Sequence, residues 1–262
     1  MLIETIILGF IQGLTEWIPI SSTGHLKIAE YFLGMELPLF FDLIFHVGTL
    51  IVTLFFFFSD IKKIIQSLHN WEFKSESGKI IPLVLIGTIP TAIIGFIITQ
   101  YFDAYFNNLF LISSAYFFCG IVLYLSKIGK NNKNEISYFD ALKIGAFQGL
   151  AVIPGLSRSG FTIAIALLLG IKKDVSFKFS FLLSIPAIIG GLILTIFQQI
   201  LNENYIQVNP SDILIGITVS AIVGYFSLRL LKKSLEITKF HLFAFYCWFL
   251  SFLLIIFIVL GF

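Results

Sequence analysis

An arginine and two serines interrupt an otherwise apolar stretch of the chain, in the segment AVIPGLSRSG at residues 151–160. Arg158 carries a permanent positive charge and a planar set of N–H donors that suits phosphate oxygens. In a membrane, an arginine costs about 2.5–3.5 kcal/mol on the insertion scale, and a bound anion would offset much of that cost. We therefore predict that Arg158 binds an anion. The alternative is a structural ion pair, with Glu16 as the partner.

A second polar segment, QGLTEWIPISSTGH at residues 12–25, contains residue types suited to hydrolysis. Gln12 and Glu16 are four residues apart and share one helix face. Glu16 could hold a divalent cation, orient a nucleophile or act as a base. Ser21 or Ser22 could attack phosphorus, and His25 could be the base, a general acid or the nucleophile itself. The alternatives are helix capping by the serines and a structural, hydrogen-bonded histidine.

These two segments resemble each other at a constant offset of 136 positions. Six residues of the first are identical in the second, namely Gly9, Gln12, Gly13, Leu14, Ser21 and Gly24, which match Gly145, Gln148, Gly149, Leu150, Ser157 and Gly160. In each segment a Ser-rich turn precedes an apolar helix, whose capped N-terminus favours an anion. The pattern predicts an internal repeat of two helical hairpins that meet at one site.

The composition indicates that these hairpins lie in a membrane. Of the 262 residues, 58% are hydrophobic and 12% are charged, against roughly 25% charged residues in soluble domains. Continuous apolar runs, not the short alternating segments of a β-barrel, favour membrane helices. The six clearest runs are at about 39–58, 80–100, 109–126, 179–200, 212–231 and 241–261. We predict an all-α integral membrane protein with about six transmembrane helices.

The basic residues predict the topology. If the six runs cross the membrane alternately, all Lys and Arg except Lys27 and Arg158 fall on one side, which the positive-inside rule makes cytoplasmic. Both termini are then outside. The broken regions, about 1–37 and 144–171, each enter and leave on one face, from opposite sides, as re-entrant hairpins; ordinary kinked spans are the alternative. One membrane domain, 1–262, thus contains repeats at about 1–126 and 139–262, related as an inverted repeat.

The segments QGLTEWIPISSTGH and PGLSRSGFT (154–162), together with FDLIFHVGTL (41–50), resemble the signature regions of the undecaprenyl-diphosphate phosphatase family, also called bacitracin-resistance proteins. The resemblance covers nearly the whole chain. It implies hydrolysis of undecaprenyl diphosphate to undecaprenyl phosphate and phosphate in the bacterial plasma membrane. That reaction recycles the lipid carrier of peptidoglycan synthesis and confers bacitracin resistance. The family is also described as re-entrant, dependent on a divalent cation and active at the outer face.

The resemblance also implies site residues. The family pattern of Glu or Gln, three residues, then Glu falls on Gln12 and Glu16, so Glu16 acts here without a second carboxylate. The predicted catalytic residues are Glu16, Ser22, His25 and Arg158. The predicted diphosphate-binding residues are Gln12, Ser21, Thr23, Gly24, Gly155, Ser157, Ser159, Gly160 and Thr162. The expected cofactor is Mg²⁺ or Ca²⁺, with Glu16 as a candidate ligand.

Three further expectations concern function and partners. A transporter or flippase of undecaprenyl phosphate is the alternative function, because inverted repeats with broken helices are a transporter design. The expected partners are the lipid substrate, membrane lipids and, in a homodimer, a second copy; the basic face is a topology signal and not a nucleic-acid site. Asp42 and His46 share a helix face and are either orienting residues or a local hydrogen-bonded pair.

Overall fold

The computed structural model describes residues 2–34, 39–201 and 209–261, and for residues 39–43 and 199–201 the backbone alone. The described chain is helical throughout, apart from turns and one isolated bridge between Lys133 and Ile171. Its α-helices, numbered in chain order, are α1 Leu2–Trp17, α2 Ser22–Leu33, α3 Leu39–Phe56, α4 Phe58–His69, α5 Ile80–Phe102, α6 Leu109–Leu125, α7 Tyr138–Leu150, α8 Arg158–Leu168, α9 Lys173–Leu201, α10 Pro210–Glu236 and α11 Phe243–Leu260.

Five of these helices, α5, α6, α9, α10 and α11, are long and apolar enough to cross a membrane. A sixth candidate is the pair α3 and α4, which is bent by 76° at a short break. The prediction of an all-α, multi-pass membrane protein is confirmed. The described chain does not include residues 35–38, residues 202–208 or the two terminal residues. The side of the membrane on which the termini lie stays a prediction.

Helix α4 lies in a segment that the predicted topology makes a basic connection between two membrane spans. It begins at Phe58, directly after the bend, and carries Asp60, Lys62 and Lys63 in its first two turns. The carboxylate of Asp60 pairs with the ammonium group of Lys178 on α9 at 2.5 Å. Charges on one face and apolar residues on the other are typical of a helix that lies along a surface. Such a helix contains no continuous apolar run, so hydropathy alone does not predict it.

The two predicted hairpins are present as pairs of short helices. The first break lies between Trp17 and Ser22 and contains Pro19, and the second lies between Leu150 and Arg158 and contains Pro154. Proline lacks the N–H group that a continuing helix requires, so each helix ends before it. Whether the hairpins are re-entrant depends on where the membrane lies, and this stays a prediction.

Each hairpin packs its first helix against a helix from the other half of the chain. α1 packs mainly on α10, and α7 packs mainly on α5. Glycines form both contacts: a Cβ on Gly9 would lie 3.2 Å from the carbonyl oxygen of Gly216, and one on Gly145 would overlap the carbonyl group of Gly87. Such close approach of helix backbones is typical of small residues at membrane helix interfaces. The packing is what two repeats related by a two-fold axis require, although the repeat boundaries stay a prediction.

Helix α8 lies at the centre of the molecule. Every residue from Ser159 to Leu167 is buried, and Phe161, Ile163 and Ala164 are fully inaccessible. A helix that is buried on all sides has its position fixed by its neighbours. The N-terminus of α8, and Arg158 with it, is therefore held rigidly against the break of the first hairpin.

Candidate functional site

The breaks of both hairpins meet at one small polar cavity. Its volume is about 30 Å³, and its lining residues come from both hairpins: Glu16, Ser21, Ser22, Thr23, Ala151, Leu156, Ser157 and Arg158. The sequence placed these segments 136 positions apart, and the structure brings them together. A cavity lined mainly by hydroxyl groups, one carboxylate and one guanidinium group is suited to a small anion or water, not to an apolar ligand.

Glu16 is the central residue of this cavity. It is 6% exposed, and its carboxylate accepts hydrogen bonds from three side chains. Arg158 donates through Nη2 to Oε1, Ser22 donates through Oγ to Oε2 at 2.5 Å, and Gln12 donates through Nε2 to the same oxygen at 2.9 Å. The ion pair with Arg158, which was the structural alternative for that residue, is present. Arg158 also lines the cavity, so the pair leaves it in position to meet a ligand.

Two helix N-termini face the cavity. α2 begins at Ser22 and is capped by Ser21, and α8 begins at Arg158 and is capped by Ser157. Ser21 Oγ accepts from the backbone N–H of Gly24 at 3.3 Å, and Ser157 Oγ accepts from that of Gly160 at 3.1 Å. Each donor is the third residue of its helix. The other first-turn N–H groups of a helix have no partner within it, and they carry the positive end of the helix dipole. Both helix ends therefore direct partial positive charge toward the cavity.

Ser21 joins the hairpins to each other. Its Oγ accepts the backbone N–H of Gly155 at 3.0 Å, and its carbonyl oxygen accepts the Tyr116 hydroxyl at 3.2 Å. Ser21 adopts a φ of 67°, in the left-handed region that residues other than glycine rarely occupy. Strain of this kind persists only where surrounding contacts hold the backbone in place. These contacts fix the start of α2, and with it Ser22.

His25 is hydrogen-bonded on both ring nitrogens, and Ser22 is not among its partners. Nδ1 lies 2.7 Å from the carbonyl oxygen of Ser21 and 2.8 Å from the hydroxyl of Tyr116. Because a carbonyl oxygen only accepts, Nδ1 carries the proton, and Nε2 accepts from the hydroxyl of Tyr246 at 2.7 Å. The hydroxyl of Ser22 bonds to Glu16 instead, so the geometry does not support His25 as the base for Ser22.

His46 is a site residue whose role the sequence reading left open. Its Nδ1 lies 3.1 Å from Gln12 Nε2 and 3.6 Å from Glu16 Oε1. The side chain of Asp42, the suggested partner of His46, lies outside the described residues. The spacing of Asp42 and His46 indicated a shared helix face, but only the packing of α3 against α1 shows that His46 points toward Glu16.

Several predicted diphosphate-binding residues do not line the cavity; they hold its walls together. Thr162 is fully buried and donates to the carbonyl oxygen of Arg158 at 2.8 Å. Ser159 donates to the carbonyl oxygen of Trp17 at 3.0 Å. Gly24, Gly155 and Gly160 are packed where a Cβ would lie 2.5–3.0 Å from its nearest neighbour. The close approach that these glycines permit is between protein segments.

The described residues contain no cluster of three or more His, Cys, Asp or Glu side chains that could hold a metal ion by themselves. One observation nevertheless suits a hard cation. The side-chain oxygen of Gln12 is buried beside Glu16 without a hydrogen-bond partner in the described part of the chain. An amide oxygen and a carboxylate are oxygen ligands of the kind that Mg²⁺ and Ca²⁺ prefer, and Mg²⁺ completes its shell with water and substrate phosphates.

Comparison with known proteins matches this sequence to one family. The model of the bacitracin resistance protein BacA family matches residues 5–253. An undecaprenyl-diphosphatase of Halothermothrix orenii is 38% identical over 257 residues, covering 97% of this chain and 96% of the relative. Those of Carboxydothermus hydrogenoformans and Methanosphaera stadtmanae are 35% and 38% identical, with at least 94% of each chain covered. The matched residues include both hairpins, and the chain belongs to the bacitracin resistance protein BacA family.

Proposed function

We propose that this protein is a membrane-embedded phosphatase that hydrolyses undecaprenyl diphosphate to undecaprenyl phosphate and phosphate. The observation that carries the proposal is the pairing of the Ser22 hydroxyl with the buried carboxylate of Glu16, beside Arg158 and two helix N-termini. A nucleophile next to a base, beside an arginine and helix N-termini that can bind phosphoryl oxygens, is what phosphoryl transfer requires. The names of the relatives support the same substrate.

In the proposed first step, Ser22 Oγ attacks the terminal phosphorus while its proton passes to Glu16. The bond from phosphorus to the bridging oxygen breaks, and undecaprenyl phosphate leaves with the proton that Glu16 returns to it. A water molecule then attacks the phosphoserine and gives a proton to Glu16. Phosphate departs as Ser22 Oγ regains that proton from Glu16. The short Ser22–Glu16 hydrogen bond supports the assignment of the base.

Arg158 and the helix N-termini would stabilise the charge that develops on the phosphoryl oxygens. Arg158 donates to Glu16 through one nitrogen only among the described residues, and its guanidinium group has further N–H donors. Backbone N–H groups of α2 and α8 would bind the same oxygens. These donors are fixed before the substrate arrives, because α8 is buried on all sides. Preorganised donors of this kind contribute a large share of enzymatic rate enhancement.

A divalent cation belongs to this proposal as well. Gln12 and Glu16 would hold it, through the unpartnered amide oxygen of Gln12 and a carboxylate oxygen of Glu16. When bound, the ion would neutralise charge on the diphosphate. Within the protein, Gln12 would serve both to orient Glu16 and to supply a neutral ligand where a carboxylate would compete for the proton of Ser22.

The site favours hydrolysis over transport. A carrier of undecaprenyl phosphate would use Arg158 to bind the headgroup, but it would have no use for a serine hydroxyl paired with a carboxylate at 2.5 Å. The polytopic membrane fold agrees with a lipid substrate. We propose the bacterial plasma membrane as its location, with the recycled carrier supporting peptidoglycan synthesis and bacitracin resistance as consequences. A homodimer also remains a proposal.

The test is phosphate release from undecaprenyl diphosphate by the purified protein, with and without EDTA. Arg158→Ala should abolish release, whereas Arg229→Ala should not, because Arg229 lies over the ring of Tyr225 outside the site. These are the two arginines of the chain, so the pair is matched in side chain and charge. Phosphate release that survives in Arg158→Ala, or its absence from well-folded wild-type protein, would contradict the proposal.

A further inference from the structure

A second, larger cavity lies between the end of α10 and the start of α11. Its volume is about 510 Å³, and it shares no lining residue with the polar cavity around Glu16. This volume is within the roughly 300–1,000 Å³ of cavities that enclose small ligands. We call it the α10–α11 groove.

The groove has apolar walls along most of its length. Ile18 and Ile20, from the break of the first hairpin, contribute to these walls. The remaining apolar residues are Leu230, Ile237, Leu242 and Phe243. Three of these are large side chains left about half exposed, namely Leu230, Ile237 and Leu242. A concave apolar surface of this kind suits a hydrocarbon chain better than water.

Two basic residues also line the groove. Lys233 and Lys239 line it, are exposed, and have no ion-pair partner among the described residues. Their neighbours on α10 are engaged: Arg229 and Lys232 lie over the rings of Tyr225 and Phe56. Glu236 lies between the two lysines in sequence but does not line the groove.

We propose that the α10–α11 groove is a binding site for an anionic phospholipid. One acyl chain would lie along the apolar walls toward Ile18 and Ile20, and the phosphate would lie between Lys233 and Lys239. The two lysines favour a headgroup with net negative charge over a zwitterionic one. The apolar walls favour a ligand with a hydrocarbon chain over a soluble phosphate compound. Basic and apolar residues that line one groove match the charged headgroup and the hydrocarbon chain of a single lipid.

Tyr246 connects this lipid site to the polar cavity. Tyr246 lines the groove, and its hydroxyl donates to His25 at 2.7 Å. A chain in the groove would therefore pack against the ring that holds His25. The site does not rest on the proposed phosphatase activity, because lipid binding can be measured without turnover.

The experiment measures bound lipid by native mass spectrometry on the full-length, delipidated protein in detergent. The probes are phosphatidylglycerol and phosphatidylcholine with identical acyl chains. Each lysine near an anionic lipid is worth a factor of roughly five in affinity, so Lys233→Gln with Lys239→Gln should weaken phosphatidylglycerol binding about 25-fold. The matched control is Lys62→Gln with Lys63→Gln, which removes the same charge from α4 and should leave binding unchanged.

A second measurement locates the lipid. Phosphatidylglycerol with a photoreactive group in its acyl chain should label the segment from Ile237 to Tyr246, and the lysine double variant should lose that labelling. Equal binding of both phospholipids, or an equal loss in the α4 control, would overturn the proposal. So would displacement of phosphatidylglycerol by equimolar undecaprenyl phosphate, since the groove would then belong to the path of the proposed product.

Discussion

The hydroxyl of Ser22 donates to the carboxylate of Glu16 across 2.5 Å, although His25 is the nearer potential base in sequence. His25 is three positions from Ser22 in the sequence, and Glu16 is six positions away. The bend between α1 and α2 decides the pairing: it turns Glu16 back over the N-terminus of α2, while the imidazole of His25 extends to Tyr246 on α11. The pairing makes Glu16, and not His25, the proposed base for Ser22, and this assignment is testable.

Replacing Ser22 by Ala should reduce phosphate release by at least about 10³-fold if Ser22 is the nucleophile. Glu16→Gln should reduce it roughly 10²–10⁴-fold, the usual contribution of a positioned base. The check is steady-state release together with acid quenching of labelled substrate, which should trap phosphoserine in the wild type and none in Ser22→Ala. Substantial turnover by folded Ser22→Ala would show that water attacks directly.

If His25 takes part in turnover, as the family resemblance implies, Tyr246→Phe should lower the turnover rate by about tenfold, because it removes the hydrogen bond that holds Nε2 of His25. If the two residues act together, combining Tyr246→Phe with His25→Ala should cost no more than His25→Ala alone. Tyr31→Phe, on an exposed tyrosine of α2, is the control and should behave like the wild type. Additive losses in the double variant would mean that Tyr246 acts independently of His25.

Sequence periodicity and composition were sufficient for most of the fold. The apolar run predicted at 80–100 is α5, Ile80–Phe102, and the run at 109–126 is α6, Leu109–Leu125. Long apolar helices can be predicted from sequence because a helix that spans the bilayer needs about 20 consecutive, predominantly apolar residues. Helix α4 was not predicted, because it is only 12 residues long and its charged residues interrupt the apolar ones in the sequence.

The candidate site was predictable in its members but not in its contacts. Clustered Gly, Ser and Pro, repeated at a constant offset, marked both hairpins, and the charges of Glu16 and Arg158 marked them further because charged residues are costly in a membrane. No sequence pattern, however, indicated that Tyr246 would meet His25 or that His46 would approach Glu16, since these contacts join helices far apart in the chain. The packing of α1 and α2 against α3 and α11 determines them, and packing depends on shapes that a single sequence does not display.

Gly145→Ala should destabilise the protein by about 1–3 kcal/mol, the usual cost of overpacking. A Cβ at this position would overlap the carbonyl group of Gly87 on α5, which cannot move away as a flexible side chain could. Gly190→Ala, in helix α9, is the matched control, because a Cβ there meets nothing within 4 Å. Thermal unfolding in detergent should show a lower Tm for the first variant and an unchanged or slightly raised Tm for the second, where alanine favours the helix. Equal Tm values would mean that α5 and α7 separate without cost.

Ser21 allows its hydrogen bonds to be distinguished from its backbone strain. Ser21→Ala removes the acceptor of the buried Gly155 N–H and should cost about 1–3 kcal/mol. Ser21→Gly removes the same acceptor, but glycine adopts a φ of 67° without strain. We therefore expect the Gly variant to be more stable than the Ala variant by about 1 kcal/mol, and both to release phosphate more slowly because the N-terminus of α2 is no longer tied to Gly155. Tm values of the two variants, measured beside the exposed control Ser114→Ala, decide the point. An Ala variant as stable as the Gly variant would mean that the backbone relaxes at this position, and that the hydroxyl alone, without stored strain, keeps Ser22 against Glu16.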